Sequence, residues 1–392
     1  MGSDGVFSML LTKCASCAAE LGLTSGKKCG RCATRYCGPA CQKKHWEEGG
    51  HDQLCKQIKK SGGAEQYHAD TKRAEAVAVA VAKCADDTAG QTCYICTQAL
   101  HWKTKEGLVR MCACRGTAGF AHVSCLAEQA KILVAEAEEN NLGSKARNER
   151  FRRWHTCGLC EQDYHGVMLC ALGWACWKTF VDRPETDNVR RMAISVLGNG
   201  LYSAKHHEDA LFVMEAELSM ERRLGAPENN ILAAQSNIAS TCRSLGHLEK
   251  ALRIERDVYS ERVRLDGEEH ERTILAASNY VSSLVQLERF EEAKILMRKT
   301  MRVDRRVLGE SNESVLRMRW VYAIALYNDD AATVDDLREA VTTLEDPERL
   351  ARRVLGGSHP TTVGIGEALR AVRAALGNRE TPSGELDEVE NA

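Results

Sequence analysis

The sequence lacks several features that would assign it to a familiar class. Its 53 Lys and Arg residues nearly balance 55 Asp and Glu residues, so no global field favours nucleic acid or an anionic membrane. The longest apolar candidates, residues 74–82 and 166–181, are too short or too mixed to cross a bilayer, which takes about 18 or more apolar residues. The first residues also lack the basic and long apolar regions of a signal peptide. We therefore expect a soluble cytoplasmic or nuclear protein that binds neither nucleic acid nor membrane.

Proline is scarce, with six residues in 392, and cysteine is nearly missing from the second half. Cysteine is dense up to Cys176 and then occurs once more, at Cys242. The rest is rich in Ala, Leu, Glu and Arg, which are residues that favour helices. The length allows two or three domains of about 100 to 200 residues each. The composition thus predicts a small cysteine-rich region followed by a larger helical one.

Fourteen of the 18 cysteines join two histidines in two successive arrays of eight residues. The first array is Cys14, Cys17, Cys29, Cys32, Cys37, Cys41, His51 and Cys55. The second array is Cys93, Cys96, Cys112, Cys114, His122, Cys125, Cys157 and Cys160. Closely spaced pairs can aim both side chains at one tetrahedral ion, and thiolate with imidazole is the ligand chemistry that zinc prefers. The arrays predict four structural zinc ions, with no open position for a catalytic water.

Disulfide bonds are the competing explanation for an even number of cysteines. Disulfides suit a secreted chain, whereas this one lacks a signal-peptide pattern and has a histidine in each array. A metal-dependent hydrolase is a third class, but it would need an open metal position and a general base. The sequence shows neither, so zinc in a structural role is the prediction.

The ligand string of the first array, together with YCGPACQKKHW at 36–46, resembles a MYND-type zinc finger over residues 14–55. The resemblance implies two interleaved sites. One would contain Cys14, Cys17, Cys37 and Cys41, and the other Cys29, Cys32, His51 and Cys55. His45 is the rival of His51 as a ligand. The resemblance also implies peptide docking near Gln42 and Trp46, although Trp46 could instead only cover the zinc site.

The stretch CACRGTAGFAHVSCL at 112–126 carries a resemblance of residues 93–160 to a RING-CH, or RING-variant, domain. The implied sites are Cys93, Cys96, His122 and Cys125, and Cys112, Cys114, Cys157 and Cys160. Domains of this type hold a ubiquitin-conjugating enzyme so that its thioester is presented in a reactive geometry. The resemblance places Ile95 at the contact with that enzyme. Residues 127–139 combine strong helix formers with apolar helical spacing, which predicts a helix inserted within the domain.

From about residue 188 onward the sequence repeats itself. Four glycines mark the same junction at spacings of 42, 42 and 47 residues, namely Gly225, Gly267, Gly309 and Gly356. This period predicts stacked helical hairpins that end at glycines with a left-handed backbone. LGGSHPTTV at 355–363 is similar to tetratricopeptide repeats of the kinesin-light-chain-like form. The resemblance implies that Asn237 and Asn279 hold the backbone of a bound peptide, although both could simply be solvated.

Together these patterns predict a mainly α protein, with two small cross-brace zinc fingers followed by an α-solenoid of tetratricopeptide-like helical hairpins. The expected segments are a MYND-type finger at 14–55, a linker with a short helix at 56–90, a RING-CH-like finger with a helical insertion at 91–165, a Trp/Cys-rich connector at 166–187, repeats at 188–376 and a disordered acidic tail at 377–392. Cys170 and Cys176 in the connector are expected to be buried thiols. The sequence leaves two functions open, an E3 ubiquitin ligase or ligase-like scaffold that presents a repeat-bound partner, and an adaptor that only mediates protein interactions.

Overall fold

The computed structural model describes residues 12–22 and 25–380, and the chain forms two compact units, Met1–Thr241 and Cys242–Ala392. The described residues contain 17 α-helices and one two-stranded sheet, so the prediction of a mainly α protein is confirmed. None of these helices combines the length and apolar character needed to cross a bilayer.

The first finger is built from a short antiparallel ribbon and two helices. These are β1 (Lys27–Lys28), β2 (Arg35–Tyr36), α1 (Pro39–Glu47) and α2 (His51–Lys60). Its core consists of zinc-ligand cysteines packed with a few apolar side chains, including the fully buried Tyr36. Such a small core would be marginal alone, so metal binding and folding of this finger are coupled.

The linker between the two arrays contains a longer helix than the short one that was expected. It forms α3 (Ala64–Lys83), a 20-residue helix, followed by the single turn α4 (Ala85–Thr88). Residues 64–83 contain neither glycine nor proline, so nothing interrupts α3. The amide of Gln66 donates to the carbonyl of Lys178 at 3.0 Å, and the ring of His68 lies edge-on to Trp174 at 6.1 Å. The linker therefore belongs to a helical layer.

The second finger contains the helical insertion as α5 (Val123–Glu139), α6 (Ser144–Phe151) and a 3₁₀ turn (Arg152–Trp154). A carboxylate helps to start α5, because Glu106 accepts from the N–H of Ser124 at 2.6 Å and from its hydroxyl at 2.9 Å. At the other end of the insertion, the buried ring of Trp154 packs edge-on against Phe180 at 5.7 Å. The insertion thus connects the second finger to the next helix.

The Trp/Cys-rich connector forms that helix, α7 (Gly166–Phe180), which is apolar on nearly every face and almost wholly buried. Cys170 and Cys176 are buried thiols as predicted, at 5% and 0% exposed. Helix α7 lies against α8 (Asn188–Ser203) at a very short distance. A Cβ on Gly200 would come within 2.7 Å of the carbonyl oxygen of Leu169, so only glycine permits this approach.

One carboxylate joins three elements of this unit. Glu65 at the start of α3 lies 3.5 Å from the guanidinium of Arg35 on β2 and 3.9 Å from that of Arg190 on α8. Burial nevertheless raises the pKa of Glu65 against these two cations. The three charges tie the first finger to the layer of α3, α7 and α8.

The repeats begin with α8 and α9 (His207–Arg223), followed by α10 (Glu228–Ser244). Gly225, which follows α9, has a φ of +63° as the repeat pattern predicted. Between α8 and α9, the buried carboxylate of Glu217 accepts a hydrogen bond from the Ser195 hydroxyl.

In the second unit, the helices after α10 are α11 (Leu248–Asp266), α12 (Glu271–Gln286), α13 (Phe290–Thr300), α14 (Asp304–Leu308), α15 (Glu313–Tyr327), α16 (Val334–Val354) and α17 (Pro360–Glu380). The three remaining junction glycines all have positive φ, +82° at Gly267, +84° at Gly309 and +92° at Gly356. One apolar core runs through α12 to α17. Helix α17 extends to Glu380, so it includes the start of the expected tail, and residues 381–392 lie outside the described residues.

Candidate metal centres

Each array folds so that its ligand atoms gather in two groups of four, and within a group these atoms lie no more than 4.8 Å apart. The four groups are Cys14, Cys17, Cys37 and Cys41; Cys29, Cys32, His51 and Cys55; Cys93, Cys96, His122 and Cys125; and Cys112, Cys114, Cys157 and Cys160. These are the interleaved sets that the two resemblances imply. All 18 cysteines are among the described residues, and none of them forms a disulfide bond.

The donor separations fit zinc. A tetrahedral site with Zn–S bonds of about 2.3 Å separates its sulfurs by about 3.8 Å. Cys17 Sγ lies 3.6 Å from Cys37 Sγ, and Cys114 Sγ lies 3.7 Å from Cys157 Sγ. The imidazole of His51 approaches a ligand sulfur at 3.4 Å through Nε2. The donor atoms already have the spacing that a tetrahedral ion requires.

At Cys14, the local backbone favours the thiolate form that binds metal. Burial acts to raise the pKa of the Cys14 thiol. Backbone N–H groups, foremost those of Cys17 and Cys37, hydrogen-bond its sulfur and bring the pKa down to about 6. Each group provides four protein donors, which completes a tetrahedron and leaves no position for a reacting water. These are four structural zinc centres.

The histidine of the second finger is oriented by its other ring nitrogen. His122 presents Nδ1 to the site, 3.4 Å from Cys96 Sγ, and its Nε2 donates to the carbonyl of Ala99 at 3.3 Å. Such a contact fixes the tautomer and the ring plane of a metal ligand.

The CACRGTAGF loop approaches its zinc ligands so closely that one position has to be glycine. Gly119 has a φ of +84°, and a Cβ built on it would lie 2.6 Å from Cys114 Cβ and 2.9 Å from Cys114 Sγ. Gly116 in the same loop has a φ of +59° but open space around it. The requirement for glycine at position 119 is therefore steric as well as conformational.

The structure assigns the first finger's histidine ligand to His51. His45 instead stacks on the His51 ring at 5.1 Å, and its Nδ1 lies 3.0 Å from the hydroxyl of Tyr36. Trp46 contacts the His51 ring edge-on at 5.8 Å and is still 40% exposed. Gln42, one turn earlier on α1, is half-buried. Trp46 thus covers part of the zinc ligand and retains a free surface.

Two exposed apolar side chains lie on the zinc turns of the second finger. Ile95, predicted from the resemblance, is 36% exposed, and its N–H donates to Cys93 Sγ at 3.4 Å. Leu159 takes the same place in the last turn, with its N–H 3.4 Å from Cys157 Sγ and a side chain that is 52% exposed. Sequence reasoning missed Leu159, although both residues hold the third position of a Cys-x-x-Cys turn.

The two repeat asparagines lie in consecutive hairpins, each on the first helix. Asn237 is on α10 and Asn279 is on α12. Both side chains are half-buried. They belong to different compact units.

Comparisons with known proteins agree with the two fingers. The family model of the MYND finger matches residues 14–55, and that of the RING-variant domain matches residues 93–142. The last ligand pair of the second finger, Cys157 and Cys160, follows the insertion and lies beyond the matched range. No curated protein sequence matches the chain significantly.

Two of the solved structures that resemble this chain are matched over nearly their whole length. A Podosopora anserina chain described as a kinesin light chain with nearly identical TPR-like repeats is 16% identical, with 59% of this chain and 97% of that chain covered and a TM-score of 0.36. BtubC (BKLC) from P. vanneervenii is 13% identical, with 69% and 98% covered and a TM-score of 0.35. The two fingers and the helical hairpins together define a zinc-binding protein built from interaction domains.

Proposed function

We propose that this chain is an interaction scaffold whose RING-variant domain binds a ubiquitin-conjugating enzyme and promotes ubiquitin transfer to a partner held elsewhere on the chain. The supporting observation is the pair of exposed apolar side chains on the two zinc turns, Ile95 and Leu159. Large apolar side chains on rigid, metal-held turns are suited to docking a protein surface, since little conformational freedom is lost on binding.

The partner would be a peptide held by the helical repeats or by the first finger. On the repeats, Asn237 and Asn279 have amide groups that can hydrogen-bond an extended peptide backbone. On the first finger, the free surface of Trp46 lies one turn from Gln42 on the same side of α1. Capture would hold the partner on the same chain as the bound enzyme, so the catalytic contribution of the chain would be positioning rather than side-chain chemistry.

A non-catalytic adaptor is the second candidate, and one observation favours it. Glu161 directly follows the last zinc ligand, where ligase-active RING domains often have a basic or amide group that steadies ubiquitin. Its carboxylate is paired with both terminal nitrogens of Arg153, at 2.9 and 3.2 Å. An ion pair at this place would suit partner docking without ubiquitin transfer.

The deciding experiment is discharge of ubiquitin from a panel of charged conjugating enzymes by the zinc-loaded chain. Ile95→Glu should abolish discharge by placing a charge in the apolar contact. Ile295→Glu is the matched control, because Ile295 is 66% exposed on α13 and belongs to neither zinc finger. If no enzyme in the panel is discharged by protein holding four zinc ions, ubiquitin transfer is refuted and the adaptor function stands.

A further inference from the structure

The second finger carries an exposed apolar turn between its first and second ligand pairs, at residues 99–106. Trp102 is 69% exposed, more than any other large apolar side chain among the described residues, and Leu100 is 59% exposed. A single exposed apolar residue is ordinary on a protein surface. Two in one turn form a patch that calls for an explanation.

The turn is held rigidly by the residue between them. His101 is 8% exposed, and its carbonyl accepts from the N–H of Lys105 at 2.9 Å. Its ring Nδ1 accepts from the N–H of Thr104 at 3.1 Å. The N–H of His101 donates to the carbonyl of Glu106 at 3.0 Å. Binding at this surface would therefore not have to order a flexible loop.

A zinc ligand anchors the same turn. The contact from His122 Nε2 to the carbonyl of Ala99 fixes the start of the turn, and the rings of His101 and His122 meet edge-on at 5.4 Å. The exposed side chains are consequently supported by a metal centre.

The charge of the turn is positive. Lys103 and Lys105 are both exposed. The nearest acid in sequence, Glu106, is directed to the N–H and hydroxyl of Ser124 at the start of α5. The turn thus combines an apolar patch with two cations and has no exposed acid. Such a surface is complementary to an apolar group flanked by carboxylates.

We propose that the Trp102 turn, formed by Leu100, Trp102, Lys103 and Lys105, is a docking surface for an acidic peptide segment that carries a large apolar side chain. The apolar side chain would pack on the indole and Leu100, while Asp or Glu residues beside it pair with the two lysines. The proposed surface shares no residue with the Ile95 contact and does not depend on ubiquitin transfer.

The test uses the full zinc-loaded chain and short fluorescein-labelled peptides in an anisotropy titration. One set has a Leu or Phe flanked by Asp and Glu, and a second set replaces the acids by Lys. The acidic set should bind and the basic set should not. Trp102→Ala should weaken binding about tenfold or more, as loss of a central aromatic anchor does. A Lys103→Glu/Lys105→Glu double variant should also weaken it and flatten its salt dependence.

Ile132→Ala is the matched control, since Ile132 is an exposed apolar side chain, at 47%, on α5 of the same finger. It should leave affinity for the acidic set unchanged, and zinc content should stay at four in every variant. The proposal is wrong if the acidic set does not bind, if the basic set binds equally well, or if Ile132→Ala weakens binding as much as Trp102→Ala does.

Discussion

Replacement of Gly119 by alanine should damage one zinc centre and leave the other three intact. The new Cβ would lie 2.6 Å from Cys114 Cβ. Ordinary contact between carbon atoms is about 3.5 to 4.0 Å, so Cys114 would have to move by about 1 Å. A zinc site tolerates only about 0.2 Å in ligand distance. Overpacking of this kind costs about 1 to 3 kcal/mol, which corresponds to about a 5- to 150-fold loss of affinity at that centre.

The control lies three residues away in the same loop. Alanine at Gly116 also has to adopt a positive φ, which costs about 1 to 2 kcal/mol in either variant, but meets no atom within 4 Å. The difference between Gly119→Ala and Gly116→Ala therefore isolates the clash. A titration against a chromophoric zinc chelator gives both the number and the affinity of the ions. Equal affinity for four zinc ions in the two variants would refute the steric argument.

Three further predictions concern the zinc count, the helix packing and the effect of pH. Cys29→Ser should leave at most three tightly bound zinc ions by metal analysis, because the two sites of the first finger interleave. Cys84→Ser, which changes a buried thiol outside the four groups, should keep four. Gly200→Ala should lower the free energy of unfolding, measured in urea, by about 1 to 2 kcal/mol, because overpacking outweighs the better helix propensity. Gly377→Ala, with open space around it, should instead raise this free energy by up to about 1 kcal/mol. Burial raises the pKa of Glu217 to about 7, so its protonated form is favoured by folding and stability is lost as the pH rises from the ordinary carboxyl value of 4.5 towards 7. Glu217→Gln should therefore be more stable than the wild type at about pH 8, by up to about 3 kcal/mol, and the gain should fade on acidification.

The zinc centres could be predicted from sequence because their information is local. Short ligand pairs such as Cys93 and Cys96 have a spacing that few structures other than a metal turn require. The repeats could be predicted equally well, since the last helix of each repeat has to stop. Gly267 and Gly309 mark the ends of two of these helices. In both cases one backbone requirement recurs in the sequence at a regular distance.

Helix α7 could not be predicted in the same way. A helix buried on all sides is apolar all round, so residues 166–180 have no contrast between faces from which a helical period can be recognised. The exposure of particular side chains could not be predicted from the sequence either. Leu159 and Trp102 point outward because of the turns that hold them, and hydrophobicity alone would have placed both in a core.

Each array is contiguous, and this has a consequence for the order of events during synthesis. The first finger has all its ligands once Cys55 is made, and the second only at Cys160, about 105 residues further along. At about 5 to 20 residues per second, the first finger has about 5 to 20 seconds to take up metal before its neighbour is complete. Phe180, the partner of Trp154, follows 20 residues after the last zinc ligand. Zinc supply while the chain is being made, rather than afterwards, would thus decide whether α7 meets a finished finger when it emerges.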